Sequence, residues 1–254
     1  MKRLWYLLLL SMLFLASCQS KRALVASDLQ KRTGTALQLD KSAGRVRLYI
    51  ADTVLVTSFK QGLSSQYKGV SRVRHYHFYH RDVPEAFEGF RIAFISDLHY
   101  KSLFKEKGLH HLVRLLNEEH ADALLMGGDY QEGCQYVEPL VSALSQVRTT
   151  AGAYAVMGNN DYERCHDLIV REMERGGIHV LEHQLDTLRR GGEQIIIAGI
   201  RDPFNLKQNG VSPTLALSPD DFVILLTHTP DYVEDVPVTH TDLALAGHTH
   251  GGQV

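Results

Sequence analysis

Six short apolar runs follow one another from residue 90 onward, and they constrain the fold more than any other feature of the chain. They read RIAFIS, ALLMG, AYAVMG, IIIAGI, FVILLT and LALAG. Runs of this length and apolarity are typical of buried strands. The stretches between them determine how those strands can be connected.

Amphipathic segments lie between the runs, with apolar residues at the spacing of a helix. Before the second run these residues are Leu109, Leu112, Val113 and Leu116. Before the third run they are Val137, Leu140, Val141 and Leu144. A third segment, around Leu168, Ile169 and Met173, stops at Gly176 and Gly177. Strands that alternate with helices predict an α/β fold with a mostly parallel sheet.

The first eighteen residues predict an export signal. Lys2 and Arg3 precede an apolar stretch over residues 4–15, which is shorter than the roughly 20 residues of a stable membrane span. The following "LASC" resembles the lipobox of bacterial lipoproteins, in which the cysteine, here Cys18, becomes the lipid-modified first residue. The alternative is an ordinary cleaved signal with an incidental cysteine. We expect a protein anchored by lipid to a bacterial membrane, on its periplasmic or cell-surface side.

Three regions follow from these patterns: a signal at 1–17, an N-terminal extension at 18–71 and a main domain at 72–254. In the extension, "RVRLYIADTVLVTSF" predicts one or two strands. "RHYHFYHRDVPEAFEGF" at the start of the main domain predicts a strand and then a turn. His75 and His77 share a face of that strand, and exposed positions are the simplest explanation for them.

Charge and cysteine content narrow the class of protein further. Without Lys2 and Arg3 the chain has 25 basic against 29 acidic side chains, so no broad nucleic-acid-binding surface is expected. Cys134 and Cys165 are far apart and lack C-x-x-C spacing. They fit either one disulfide in an oxidising compartment or two separate buried thiols.

Polar side chains follow five of the predicted strands, and this placement indicates a site. They are Asp97 and His99 in "SDLH", Asp129 in "GGD", Asn159, Asn160 and Asp161 in "GNND", His228 in "LTHTP", and His248 and His250 in "GHTH". Alone, each could be a helix cap or a surface histidine. Together they lie where parallel sheets bind ligands, at the carboxyl ends of the strands. Glycines at 127, 128, 158 and 247 would let the backbone approach this site closely.

Carboxylates and imidazoles in this combination indicate two-metal hydrolysis. That chemistry uses two cations about 3.5 to 4 Å apart, with a carboxylate able to bridge them. Mixed nitrogen and oxygen ligands suit manganese, iron or zinc. A single-zinc hydrolase is a weaker alternative.

The ordered motifs "SDLH", "GGD", "GNND", "THTP" and "GHTHGG" resemble those of the calcineurin-like metallophosphoesterase superfamily, especially its bacterial membrane-associated phosphodiesterase branch. The resemblance covers residues 72–254 and implies a four-layer α/β sandwich. It implies a first divalent metal ion bound by Asp97, His99, Asp129 and His250. It also implies a second, bridged by Asp129 and bound by Asn159, His228 and His248.

The resemblance also implies a reaction, in which a hydroxide bridging the metals attacks phosphorus directly. We expect a phosphodiester or pyrophosphate substrate, lipid-linked or nucleotide, and direct catalytic roles for Asp129, Asn160 and His250. Arg201 could clamp a phosphate, or Asp202 beside it could simply stabilise a turn. Lys101, with Lys105 and Lys107, could attract a phosphate or form a solvated charge run.

The chain departs from the family pattern in two places. Asn160 stands where the family usually has a histidine thought to protonate the leaving group, and His166 and His183 are either substitute donors or ordinary surface histidines. The family also continues beyond "GHTHGGQ", so we expect the C-terminal strands of the fold to be missing from this chain. The rival function is a binding lipoprotein that has kept the metal-binding fold with impaired turnover.

Overall fold

The computed structural model describes residues 37–40, 45–50, 53–60, 70, 73–102, 104–201 and 211–250. The predicted signal, Cys18 and Asp202 lie outside these ranges. The described residues belong to two compact units, which divide near residue 81.

The smaller unit is an antiparallel sheet in the order β1-β2-β3-β4. Its strands are β1 (Leu37–Asp40), β2 (Arg45–Ile50), β3 (Thr53–Lys60) and β4 (Val73–Tyr79). The segment of the extension that was predicted to form one or two strands forms two, β2 and β3. Strand β1 was not predicted. The predicted strand around His75 and His77 is also confirmed, and it pairs with β3. The domain boundaries at 17 and 71 stay predictions.

The larger unit contains two further sheets. The first is parallel throughout, in the order β5-β6-β7-β8: β5 (Ile92–Ile95), β6 (Ala123–Met126), β7 (Ala153–Ala155) and β8 (Ile178–Val180). The second has the order β12-β11-β10-β9: β9 (Gln184–Arg190), β10 (Glu193–Gly199), β11 (Val223–Thr227) and β12 (Leu243–Ala246). Only β9 runs antiparallel to its neighbour. All six predicted strands are present, whereas β8 and β9 were missed.

The helices of the larger unit are α1 (Glu106–Glu119), α2 (Val137–Leu144), α3 (Asn159–Glu163), α4 (His166–Arg175) and α5 (Asp231–Asp235). Short 3₁₀ turns occupy Glu85–Phe87, Cys134–Tyr136 and Pro213–Ala216. The three predicted helices correspond to α1, α2 and α4. The first ends at His120, whose left-handed backbone (φ 50°) stops the helix, and α4 ends at Gly176 as expected.

Alternating residues of the strands build the layers of this unit. Leu124 and Met126 of β6 join a core with the apolar faces of α1, α2 and α4. On the second sheet, Val223 and Leu225 of β11 pack with Tyr232 of α5. Because successive strand residues point to opposite faces, the residues between them line the interior between the sheets, where Leu125 and Ile224 are fully buried. The predicted four-layer α/β sandwich with mostly parallel central strands is confirmed.

A disulfide joins Cys134 to Cys165, with the two Cα atoms 5.5 Å apart. Of the two alternatives that the sequence left open, the disulfide is therefore the one present. It connects the segment that follows β6 to the residue that precedes α4. Both connected segments lead away from the carboxyl edge of the first sheet. No helix within the described ranges combines the length and apolar character needed to cross a membrane.

Reducing this disulfide should lower the free energy of unfolding by about 3 kcal/mol, because it closes a loop of 31 residues in the unfolded chain. Urea unfolding with and without tris(2-carboxyethyl)phosphine measures the change. A double variant, Cys134→Ala with Cys165→Ala, should unfold at the lower midpoint and be insensitive to the reductant. An unchanged wild-type midpoint after complete reduction would contradict the prediction.

Candidate metal centre

The carboxyl edges of the two sheets carry the seven residues that the sequence predicted as metal ligands. Asp97 and His99 follow β5, Asp129 follows β6, and Asn159 begins α3 after β7. From the second sheet, His228 follows β11, and His248 and His250 follow β12. Two groups have potential ligand atoms within 4.8 Å of one another: Asp97, His99 and His250; and Asp97, Asp129 and His228.

Asp129 lies between the two groups and is almost fully buried. Its Oδ2 atom is 3.6 Å from Nε2 of His99 and 3.6 Å from Nε2 of His228. A carboxylate at equal distance from two imidazoles can bridge two cations, each of which also binds one of the imidazoles.

The first group is completed by Asp97 and His250, whose Oδ1 and Nε2 atoms are 3.8 Å apart. The imidazole of His250 stacks on that of His99, with ring centroids 5.1 Å apart. Asp97 is held by the backbone N–H of His248, which donates to both carboxylate oxygens at 3.0 Å, and by the hydroxyl of Ser96 at 2.6 Å. The two sheets are thus joined directly at this group.

The second group surrounds His228. Its Nε2 atom lies 3.1 Å from Oδ1 of Asn159 and 3.2 Å from Nδ1 of His248. Its Nδ1 atom is 2.6 Å from the carbonyl oxygen of Gly127, which can only accept, so Nδ1 carries the proton. Burial lowers the pKa of His228, against the opposing effect of nearby carboxylates. The ring is therefore neutral, with the lone pair of Nε2 directed at the Asn159 oxygen.

His99 has the same arrangement, with a carboxylate in place of the carbonyl. Its Nδ1 atom lies 2.6 Å from Oε1 of Glu132, and its buried Nε2 atom has no hydrogen-bond partner among the described residues. Nε2 of His99 thus faces the carboxylate of Asp129, and Nε2 of His228 lies near the oxygens of Asp129 and Asn159. Imidazole nitrogens that converge with carboxylate and amide oxygens form the kind of ligand set that divalent cations take, so these residues fit two metal ions.

Backbone strain is concentrated at the same positions. Asp97, His99, Asp129, His248 and His250 all have left-handed φ angles, between 40° and 66°. Non-glycine residues rarely adopt this conformation, and it clusters at functional sites where the surrounding structure enforces it. The expected close approach of backbone also occurs: Gly128 has φ 94°, and a Cβ atom on Gly158 would overlap the Asp129 carboxylate.

Two acidic residues to which the sequence assigned no role support the site. Asp161 is fully buried and accepts N–H bonds from Asp129 (2.7 Å), Tyr130 (3.1 Å) and Gly158 (2.9 Å). Burial, opposed by these bonds, raises the pKa of Asp161 to about 7. Glu132 fixes the tautomer and orientation of His99. The "GNND" motif contains Asp161, but only the fold reveals the N–H groups it binds.

Asn160, at the position of the family histidine, contacts several residues here: its Nδ2 atom is 3.2 Å from Nδ1 of His99, and its Oδ1 atom accepts from Nδ2 of Asn159 at 3.2 Å. Its backbone N–H donates to Oδ1 of Asp129 at 3.0 Å, and its side-chain Nδ2 donates to Oε1 of Glu132 at 3.4 Å. Asn160 therefore lies beside the proposed metal ligands, and its side-chain amide binds the same carboxylate, that of Glu132, that holds His99.

The remaining candidates lie in separate places. The Lys101 ammonium group stacks on the Tyr100 ring at 4.9 Å and pairs with Glu106 at 3.4 Å. His183 has its Nε2 atom 2.9 Å from the carbonyl oxygen of Val211. Arg201 and His166 both contact the carboxylate of Glu182. The roles predicted for these four residues stay predictions.

Comparison with known proteins gives a consistent family relationship. The family model described as "Calcineurin-like phosphoesterase" matches residues 90–252. The chain is 30% identical over 178 residues to the uncharacterized metallophosphoesterase YkuE of Bacillus subtilis, covering 68% of this chain and 62% of that protein. It is 30% identical over 171 residues to phosphodiesterase YaeI of Escherichia coli, covering 65% and 62%. An uncharacterized metallophosphoesterase of Helicobacter pylori is 29% identical over 171 residues, covering 65% and 45%. The chain thus matches about half to three fifths of the lengths of these relatives.

Replacing Glu132 with glutamine should weaken divalent metal binding by about 10- to 100-fold, because His99 loses the carboxylate that orients it and makes its Nε2 atom more basic. Calorimetric titration of the metal-free protein with Mn²⁺ measures the affinity. The matched control is Glu138→Gln, which changes an exposed glutamate on α2 and should bind as the wild type does. Equal affinity in Glu132→Gln and the wild type would show that this contact does not support metal binding.

Proposed function

The chain belongs to the calcineurin-like phosphoesterase family, and we propose that it hydrolyses a phosphodiester or pyrophosphate bond with the help of two divalent metal ions. The observation that carries the proposal is the position of Asp129 Oδ2, 3.6 Å from the Nε2 atoms of both His99 and His228. Both imidazole nitrogens lie at the same distance from this carboxylate oxygen, which is the arrangement needed to share it between two cations.

Seven residues would hold the metals in this proposal. The first ion takes Asp97, His99, Asp129 and His250, and the second takes Asp129, Asn159, His228 and His248. Nitrogen and oxygen ligands without cysteine favour manganese, iron or zinc. When bound, such a pair of ions lowers the pKa of water to about 7 and offsets charge on the phosphoryl oxygens.

The protein contributes by holding these side chains ready before the substrate arrives. The N–H groups of Asp129 and Gly158 are fixed by Asp161, so the loops after β6 and β7 keep one relative position. Burial lowers the pKa of His228, and the hydrogen bond from its Nδ1 atom to the carbonyl oxygen of Gly127 fixes the orientation of the ring. Such preorganisation removes the cost of reorienting dipoles as charge develops on the phosphoryl group.

Asn160 supports a substrate with a good leaving group. Its amide can donate a hydrogen bond but cannot deliver a proton at neutral pH. Loss of a general acid costs about 10² to 10⁴ in rate, and most of that falls on leaving groups of high pKa. Diesters and pyrophosphates therefore fit this site better than alkyl monoesters. The name of the YaeI relative, a phosphodiesterase, agrees with this preference.

Membrane attachment is part of the proposal. Its support is the "LASC" sequence at Cys18 and the disulfide between Cys134 and Cys165, which is typical of exported proteins. A lipid anchor would bring the site close to phospholipids and other lipid-linked phosphodiesters.

One observation favours a second candidate function, which is metal binding without turnover. The residue at position 160 lacks the acid group that usually assists departure of the product. A member of the family that had become a binding module would keep the seven metal-binding residues and lose activity. The two functions differ in one measurable property, turnover of an activated diester.

With Mn²⁺, the protein should hydrolyse bis(p-nitrophenyl) phosphate, and Asp129→Asn should lower the rate by about 100-fold or more because neither ion then has its bridging carboxylate. The release of p-nitrophenolate is followed by its absorbance of visible light, with and without a chelator. Asp235→Asn, an exposed change on α5, is the control and should leave the rate unchanged. Metal binding with no turnover would select the binding module.

Asn160→His should restore part of the missing proton transfer and raise the rate selectively for poor leaving groups. We expect a gain of about 10-fold, less than the 10² to 10⁴ of an evolved general acid. The measurement is kcat/KM for a series of methyl aryl phosphates whose phenols differ in pKa. A gain that does not depend on the pKa of the phenol would show that position 160 does not act on the leaving group.

A further inference from the structure

The two sheets of the larger unit meet at their carboxyl edges in a row of three side-chain contacts. Asp97 after β5 accepts from the backbone of His248 after β12. Asn159 after β7 faces His228 after β11. Beyond them, Glu182 after β8 lies 3.6 Å from Nε of Arg201 after β10. The first two contacts belong to the proposed metal centre, and the third is not used by it.

Arg201 lies beside the metal centre by strand register. β10 and β11 are parallel neighbours, with Gly199 opposite Leu226, and the next backbone hydrogen bond, from Ile200 N to Leu226 O at 3.0 Å, continues the pairing. Two residues further along, this register brings Arg201 next to His228. Neighbouring strands are about 4.8 Å apart, so groups that follow adjacent strands can contact adjacent parts of one substrate.

Glu182 organises this third contact. Its Oε1 atom accepts from Nε2 of His166 at 2.8 Å and from the hydroxyl of Tyr162 at 3.0 Å. The rings of Tyr162 and His166 stack with centroids 5.0 Å apart. The carboxylate of Glu182 is 22% exposed and the side chain of Arg201 is 56% exposed. A partly buried carboxylate thus holds one cationic and one imidazole side chain at an open edge.

Both ring nitrogens of His166 are bound to carboxylates, Nδ1 to Asp167 at 2.9 Å and Nε2 to Glu182 at 2.8 Å. Although burial opposes the charged form of His166, its hydrogen bonds to Asp167 and Glu182 raise the pKa of the imidazole above the ordinary value. Asp167 is 98% exposed, so solvent screens most of its charge. His166 therefore helps to hold Glu182, and the Arg201 side chain, 56% exposed, is the cation that a phosphate can reach at this edge.

We propose that Arg201, held by Glu182, forms a subsite for a second phosphate of the substrate, next to the phosphate at the metal centre. The subsite rests on the proposed function and narrows it to the pyrophosphate diesters. Arginine binds phosphate oxygens through two parallel N–H bonds, and its charge would offset that of the phosphate that leaves. Glu182 is a positioning residue in this arrangement.

The test compares two substrates that share a nucleoside. One is the p-nitrophenyl ester of thymidine monophosphate, which has a single phosphate, and the other is dithymidine pyrophosphate. Arg201→Gln should lower kcat/KM for the pyrophosphate by about 10- to 100-fold, the usual effect of a charge-assisted contact, and change the monophosphate ester by less than about 2-fold. Arg201→Lys should recover part of the loss.

Arg171→Gln is the matched control, because Arg171 also pairs its Nε atom with a glutamate at 3.6 Å, on the exposed side of α4. It should change neither substrate. Equal losses on both substrates in Arg201→Gln, or no loss on either, would overturn the subsite while leaving the proposed hydrolysis intact. So would wild-type turnover of the monophosphate ester alone.

If the wild type turns over neither substrate, the proposed function fails and the subsite is judged by binding. With Mn²⁺ present, thymidine diphosphate should raise the melting temperature of the wild type more than thymidine monophosphate does. Arg201→Gln should abolish that difference. An equal rise with both nucleotides in the wild type, or a difference that persists in the variant, would contradict the subsite.

Discussion

The buried carboxylate of Asp129 is the group on which the rest of the site depends. It is 3% exposed and lies between the Nε2 atoms of His99 and His228, and its backbone N–H donates to a second buried carboxylate, Asp161. A buried ionised carboxylate is costly without a cation or several N–H donors. Asp161 has three such donors, whereas Oδ2 of Asp129 faces the two imidazole nitrogens. Two divalent ions would remove that imbalance, so metal binding and stability of this edge are coupled.

The replacement at position 160 is understandable in the same terms. The backbone N–H of Asn160 binds Asp129, a contact that does not depend on the side chain. The side-chain amide donates to Glu132, and Glu132 holds His99. A neutral amide therefore maintains the position of Glu132 without adding a proton that can be transferred. The metal-binding geometry and the acid catalysis are separable, which is why losing the histidine need not disturb the seven proposed ligands.

Much of the fold could be predicted because its inner strands are apolar runs and its helices have one apolar face. β8 and β9 could not. β8 has three residues, too few for a recognisable period, and β9 is an edge strand whose exposed residues, such as Arg189, hide its alternation. The candidate ligands could be predicted because each follows a strand directly. Glu132 and Asp161 could not be assigned roles, because they act through other residues: one on the far nitrogen of His99, the other on backbone N–H groups. The sequence likewise did not show whether Cys134 and Cys165 form a disulfide or stay separate thiols, because this depends on the distance between them in the fold.

The disulfide connects the stability of the fold to the metal centre. Cys134 is two residues beyond Glu132, and Cys165 is five residues beyond Asn160, so the bond joins the two loops whose side chains meet at His99. Asp161 joins the same loops through backbone N–H groups nearer the strands. Asp161 links the two loops near the strands, and the disulfide links them further along. Glu132 and Asn160 therefore have little freedom to move apart. Such a bond persists in oxidising compartments, in agreement with the export signal proposed for the N-terminus. A cytosolic protein would have to hold the same carboxylate against His99 by packing alone.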